Sequence, residues 1–230
     1  MKHSPVIEPH DLFRWTPIYQ EVYCEERLRK DIECIDWSAS TCPALPPAIY
    51  KRTNLIELNV SRSSMQRIPA EIGLLVNLKR LDLGGNQLTT IPPQVESLVN
   101  LEYLNLSVNR IHGPIPLSLC ALVGLQELQL QYNNFDGKIP PELGSLWKLR
   151  HLDISNNRKL SGKVPIELGN LQRLEYLYLH NTALNTQLPK EMVEALRPSQ
   201  TKIYMFKYLD LEWYELEAKR SFLVRPGNPL

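Results

Sequence analysis

Leu101-Glu-Tyr-Leu-Asn-Leu-Ser-Val-Asn-Arg-Ile-His-Gly-Pro-Ile-Pro116 is the stretch from which the rest of the chain can be read. Its frame is L-x-x-L-x-L-x-x-N-x-(I/L), carried through a turn into an aliphatic-Pro pair. Leucines opening the same frame stand at Leu55, Leu78, Leu101, Leu125, Leu149 and Leu174, in steps of 23, 23, 24, 24 and 25 residues. A period of roughly 20–50 residues signals a stacked solenoid and outranks any local motif. The aliphatic-Pro pairs confirm the phase independently: Ile68-Pro69, Ile91-Pro92, Ile115-Pro116, Ile139-Pro140, Val164-Pro165 and Leu188-Pro189.

One period before Ile68-Pro69 stands Leu45-Pro46, which points to a further start near residue 32. The residues there are Ile32, Ile35, Trp37, Ser40 and Cys42, a degenerate first repeat in which Trp, Ser and Cys replace Leu, Asn and Leu. Counting it, the repeats open at residues 32, 55, 78, 101, 125, 149 and 174.

Within L-x-x-L-x-L the alternation describes a short strand whose leucines point inward. Each buried leucine contributes roughly 1.5–3 kcal/mol, but one repeat alone has nothing to bury against, so successive strands stack into one parallel sheet. The asparagine after the strand sits where the chain turns inward, and its amide can satisfy backbone groups that the turn buries. Asn86, Asn109, Asn133 and Asn157 hold this place, with Ser63 and Thr182 in the flanking repeats, which are expected to be looser. Proline fixes φ and removes a donor, so the return path favours turns and 3₁₀ pieces over long helices. A thin return layer predicts gentle curvature with the sheet on the inside.

The expected architecture is an α/β solenoid: an arc with a curved parallel β-sheet on its concave face and helical caps at both ends. Residues 1–15, with Pro5 and Pro9, read as an extended arm. Residues 16–31 read as an amphipathic capping helix, started by Thr16 as N-cap and Pro17 at the first helical position. The repeats occupy 32–192, a degenerate one over 32–54 and six clearer ones from 55. A C-terminal cap and tail fill 193–230, with a short helix over 190–197, a last strand over 202–206 and a final helix marked by Leu209, Trp213 and Leu216.

The motifs resemble those of leucine-rich-repeat proteins. Gly113-Pro-Ile-Pro116, Gly137-Lys-Ile-Pro140 and Gly162-Lys-Val-Pro165 are similar to the L-x-G-x-I-P signature of the plant-type class of receptor ectodomains and secreted inhibitors. Leu88-Thr-Thr-Ile-Pro92 and Met65-Gln-Arg-Ile-Pro69 resemble the shorter intracellular Ras-suppressor-like class. The resemblance implies binding of a protein or peptide on the concave sheet.

Outward strand positions follow from the frame. Their N-terminal half is small and polar, whereas the C-terminal half gathers Tyr103, Glu127, Gln129, Tyr132, His151, Asp153, Tyr176, Tyr178 and His180. Aromatic side chains on a rigid sheet are the usual anchors of an interface, although tyrosine also simply suits a strand. These nine residues are the candidate partner contacts.

Other chemistry is poorly supported. The formal net charge of +1 offers no field for a phosphate backbone, so nucleic acid is not expected. No run approaches the roughly 18 apolar residues of a membrane span. The N-terminus lacks the apolar core of a secretory signal, and Cys24, Cys34, Cys42 and Cys120 are too irregular for a disulfide framework, so free thiols and a cytoplasmic setting are expected. His151 and His180 lie on neighbouring strands but four residues out of step, about 13 Å, too far to share one metal ion. No catalytic constellation and no cofactor motif is legible. Asn59-Val-Ser61 and Asn105-Leu-Ser107 match the glycosylation sequon, but the repeat frame itself generates both. The expected function is a non-catalytic binding or adaptor module. The alternatives are a structural subunit attached through the arm and terminal helices, or a secreted, receptor-like recognition protein. Oligomeric state is not legible.

Overall fold

The computed structural model describes residues 33–40 and 43–205. The expected arm, the N-terminal helix, Cys24, Cys42 and the final helix lie outside them.

Each repeat contributes one three-residue strand: β1 (Cys34–Asp36), β2 (Glu57–Asn59), β3 (Arg80–Asp82) and β4 (Tyr103–Asn105). In the later repeats further strands alternate with these, giving β5 (His112–Gly113), β6 (Glu127–Gln129), β7 (Asn134–Gly137) and β8 (His151–Asp153). The series ends with β9 (Lys159–Gly162), β10 (Tyr176–Tyr178), β11 (Ala183–Leu184) and β12 (Lys202–Tyr204). The main sheet has eight parallel strands in the order β1-β2-β3-β4-β6-β8-β10-β12. Its register pairs equivalent residues of successive repeats, as in Tyr103↔Glu127, Glu127↔His151 and His151↔Tyr176. Frame leucines fill the interior: Leu58, Leu81, Leu104, Leu128, Leu152 and Leu177 are all essentially inaccessible.

The return path is built of 3₁₀ helices over Ala70–Leu74, Pro93–Ser97, Leu117–Ala121, Pro141–Ser145 and Ile166–Asn170. Each follows a proline whose φ, between −76° and −68°, already suits the turn, and each closes on a buried leucine. The proline ring therefore selects the tight turn that the sequence pattern predicted. The helix over Lys190–Ala195 packs on the last 3₁₀ turn, and β12 then adds an eighth strand to the main sheet.

A second sheet was not anticipated. Its four strands, in the order β11-β9-β7-β5, each follow a main-sheet strand in the chain, at the start of the return path. It begins in the repeat where the period lengthens from 23 to 24 residues and the turn acquires glycine. Gly113, Gly137 and Gly162 have φ of +83°, +71° and +89°, a left-handed region that other residues reach only at a cost. The extra residue extends the chain into a bridge with its neighbour, and the glycine then turns it toward the Ile/Val-Pro pair.

The asparagines form a shared ladder. Asn109 Nδ2 donates to the carbonyls of Leu83 and Leu106 at 3.0 Å each, and its Oδ1 accepts from the Leu88 amide at 3.0 Å. The Leu83 carbonyl also accepts from Asn86, the Leu106 carbonyl from Asn133, and the Leu130 carbonyl from both Asn133 and Asn157. Ser63 is buried completely and replaces the amide with a hydroxyl bonded to the Trp37 and Ser61 carbonyls, while Thr182 keeps a single bond to Leu179.

The residue before each ladder position lies in the left-handed region: Ala39, Arg62, Gly85, Val108, Tyr132, Asn156 and Asn181, all with φ between +53° and +69°. This geometry aims its amide at the next repeat, as in Val108 N–H to Gln131 O (2.9 Å) and Tyr132 N–H to Ser155 O (3.2 Å).

Candidate binding surface

The exposed face of the main sheet is lined by alternate strand residues, because the others point into the core. In the position centred on Asp36, Asn59, Asp82, Asn105 and Asp153, each side-chain Oδ1 accepts from the amide two residues on, at 2.9–3.1 Å. These Asx turns close the strand before the left-handed residue. The polar character of this column is thus partly structural, and one oxygen of Asp153 is committed before any partner arrives. Asn105 also donates to Asp82 at 3.0 Å. In β6 and β10 the same position is Gln129 and Tyr178, so there the column is free of that local bond.

The candidate residues are distributed over four strands and one turn. Tyr103 (β4), Glu127 and Gln129 (β6), His151 and Asp153 (β8), and Tyr176 and Tyr178 (β10) all project from the exposed face and are partly accessible. His180 follows β10. Tyr132 stands apart on the rim, 57% exposed. Tyr103 has the Arg80 guanidinium 3.5 Å from its ring centroid, and burial with nearby Asp82 pushes its hydroxyl pKa up.

Around β10 the aromatic groups meet. His151 lies 5.2 Å from Tyr178 and 5.7 Å from Tyr176, and Tyr178 stacks on Tyr204 at 4.4 Å with 10° between planes. His180 meets Tyr178 edge-on at 6.3 Å, and Lys202 Nζ sits 5.3 Å from the Tyr176 centroid. The 4.4 Å stacking distance is close to the strand spacing of about 4.8 Å, so neighbouring strands hold the two rings in contact. Burial, then the neighbouring Tyr204 hydroxyl, pushes the Tyr178 pKa up to about 12. His180 is held below the usual histidine range by burial, with Asp153 opposing.

Two members of this group, Lys202 and Tyr204, were absent from the sequence-derived set. Their signal was present, since alternation along 202–204 places both outward once that segment is a strand. Among the described residues no three His, Cys, Asp or Glu side chains converge as a metal site would require. Cys34 and Cys120 are free thiols. Burial raises both pKa values, that of Cys120 to about 11, which leaves roughly one thiolate in ten thousand near pH 7. Neither has the depressed pKa of a nucleophile. No helix among the described residues is long and apolar enough to cross a membrane.

Similar solved structures carry the same architecture. A leucine-rich-repeat protein of Leptospira interrogans is 36% identical with a TM-score of 0.72, covering 79% of this chain and 44% of that one. A plant peptide hormone receptor, RGFR1 in complex with RGF2, is 37% identical with a TM-score of 0.62, over 66% of this chain and 25% of the receptor. The Arabidopsis receptor kinase HAESA, in complex with the peptide hormone IDA and the co-receptor SERK1, is 29% identical with a TM-score of 0.67, over 76% and 30%. The chain thus spans less than half the length of these proteins. No curated protein sequence matches it significantly. The model of the leucine-rich repeat region matches residues 47–161, half of the chain. With the stacked strands, the asparagine ladder and the proline-started 3₁₀ returns, this places the chain in the leucine-rich-repeat family, a solenoid fold that serves as a protein-binding scaffold.

Proposed function

We propose that the chain is a non-catalytic recognition module that holds a protein or peptide across the C-terminal half of its main sheet. Tyr103, Glu127, Gln129, Tyr132, His151, Asp153, Tyr176, Tyr178 and His180 are the contact residues, joined by Tyr204 and Lys202. The observation that carries this reading is the stack His151–Tyr178–Tyr204, a partly exposed aromatic group carried by three neighbouring strands of one parallel sheet. Such groups lose little entropy when a partner docks. The face is the one that the repeat geometry makes concave. The likeness to two receptors solved with peptide ligands supports a peptide-sized partner. The glycine-turned second sheet supports assignment of the later repeats to the plant-type class, and the shorter repeats before it to the Ras-suppressor-like class.

Two observations favour an intracellular adaptor over a secreted, receptor-like protein. Cys34 and Cys120 are unpaired by disulfide, and of the two sequon asparagines Asn105 has its Nδ2 donating to Asp82, while Asn59 and Asn105 each accept at Oδ1 from the amide two residues on.

The test is selection of a displayed random peptide library on the full chain. Replacing His151, Tyr176 and Tyr178 together with alanine abolishes enrichment while the melting temperature stays nearly unchanged, because all three are partly exposed. Enriched peptides that bind this variant as well as the parent defeat the proposal.

A further inference from the structure

A second surface lies along the edge where the strands begin. Val76, Val99, Val123 and Trp147 occupy the same register position, four residues before Arg80, Tyr103, Glu127 and His151, which pair in succession. They are 42%, 49%, 44% and 50% exposed, so four consecutive repeats present a continuous apolar stripe. Polar residues bound it at both ends, with Thr53 before and Gln172 after. The backbone beneath is held rigid: Asn100 Nδ2 donates to the Val76 carbonyl at 2.9 Å, and the Val123 and Trp147 amides bond to Ala121 and Ser145 at 2.9 Å. Single exposed apolar residues need no explanation, but a contiguous row with polar borders marks an interaction site.

The stripe ends in positive charge. Lys148 Nζ and Arg173 Cζ lie 5.1 Å and 5.4 Å from the Trp147 ring, and both line an open cleft of about 380 Å³. Arg150, on the same cleft, is bonded to Glu175 at 2.9 Å, so its charge is matched, whereas Lys148 and Arg173 form no ion pair among the described residues.

We infer that this edge is a docking site for an acidic amphipathic helix of a partner protein, separate from the sheet face. The repeats stack at about 4.8 Å per strand, close to the 5.4 Å rise of one helical turn. A helix laid along the edge therefore sets one apolar side chain per turn against each of Val76, Val99, Val123 and Trp147. Carboxylates at one of its ends meet Lys148 and Arg173. This polarity fixes the direction of the helix, as charge at a rim sets register and orientation more than affinity.

The test uses the full chain and three labelled peptides of about 18 residues, five helical turns. One carries a leucine stripe with glutamates toward one end, the second carries lysines in their place, and the third scrambles the first so that no stripe remains. Fluorescence anisotropy is expected to show binding of the glutamate peptide alone. Val99→Asp with Val123→Asp raises its Kd about tenfold or more. Lys148→Glu with Arg173→Glu weakens it and creates binding to the lysine peptide. Val99, Val123 and Arg173 are exposed and Lys148 is partly accessible, and circular dichroism and melting temperature confirm folding of each variant. Equal binding of the scramble, or an unchanged Kd in the valine variant, overturns the inference. So does binding of wild-type protein to phosphatidylserine vesicles with no affinity for the glutamate peptide, which makes the edge a membrane contact instead.

Discussion

Asn86→Ala and Asn109→Ala remove the same group at nearly equal burial, 7% and 8% exposed, yet they differ in what they leave behind. Without Asn109, the Leu83 carbonyl still accepts from Asn86 at 2.9 Å and the Leu106 carbonyl from Asn133 at 2.9 Å. Only the Leu88 amide loses its partner. Asn86 is the first asparagine of the ladder, and no earlier amide shares its load. Its loss orphans the Val60 carbonyl and the amides of Ser63 and Met65, bonded at 2.8, 3.0 and 2.9 Å. Each unsatisfied buried group costs about 1–3 kcal/mol. At equal cost per group, the middle substitution should therefore cost about 1–3 kcal/mol and the end substitution about three times as much, a gap of about 2 kcal/mol or more. The assay is equilibrium urea unfolding of both variants, compared at unchanged m-value so that the difference reports the native state. Equal losses, or a larger loss at Asn109, refute the claim that shared carbonyls buffer the interior of the ladder.

Three further outcomes follow from the geometry. Val108→Asn should stabilise the protein by about 1 kcal/mol, because a β-branched residue is held at φ +54° where asparagine is tolerated; calorimetry should show a higher melting temperature. Gly144→Ala should destabilise by about 1–3 kcal/mol or more in denaturant titration, since an added Cβ would stand 2.2 Å from the Glu167 carbonyl oxygen, and stacked backbone cannot retreat. His180 has a folded pKa below its unfolded value of about 6.5, so the unfolded chain binds the proton more readily. Its contribution is present above that unfolded value and declines as pH falls through it toward the folded one; His180→Asn should flatten this part of a stability–pH curve.

The ladder and the main sheet were legible because period and alternation are properties of the chain alone. A leucine every second or third residue can be inward only if the segment is a strand, and a strand of three residues is stable only beside its copies. The outward set could be listed for the same reason. The second sheet was not legible, because its strands depend on bridges between return segments, and nothing in Lys159-Leu-Ser-Gly162 alternates strongly enough to declare one. Tyr204 and Lys202 escaped because the frame decays after Pro189, although their segment still pairs in register with β10.

Sequence by itself determined the solenoid, the phase of its repeats, the proline-started returns and the identity of the ladder asparagines, since each is a local pattern repeated. Only tertiary structure decided that the ladder shares carbonyls between repeats, that Asp153 is partly spent on its own backbone, and that His151, Tyr178 and Tyr204 stack as one row. It also decided that Val76, Val99, Val123 and Trp147 form a line. Apart from the Asp153 bond, which reaches only two residues along the chain, these are relations across 23 to 27 residues, set by register between strands, and register exists only once the repeats have packed.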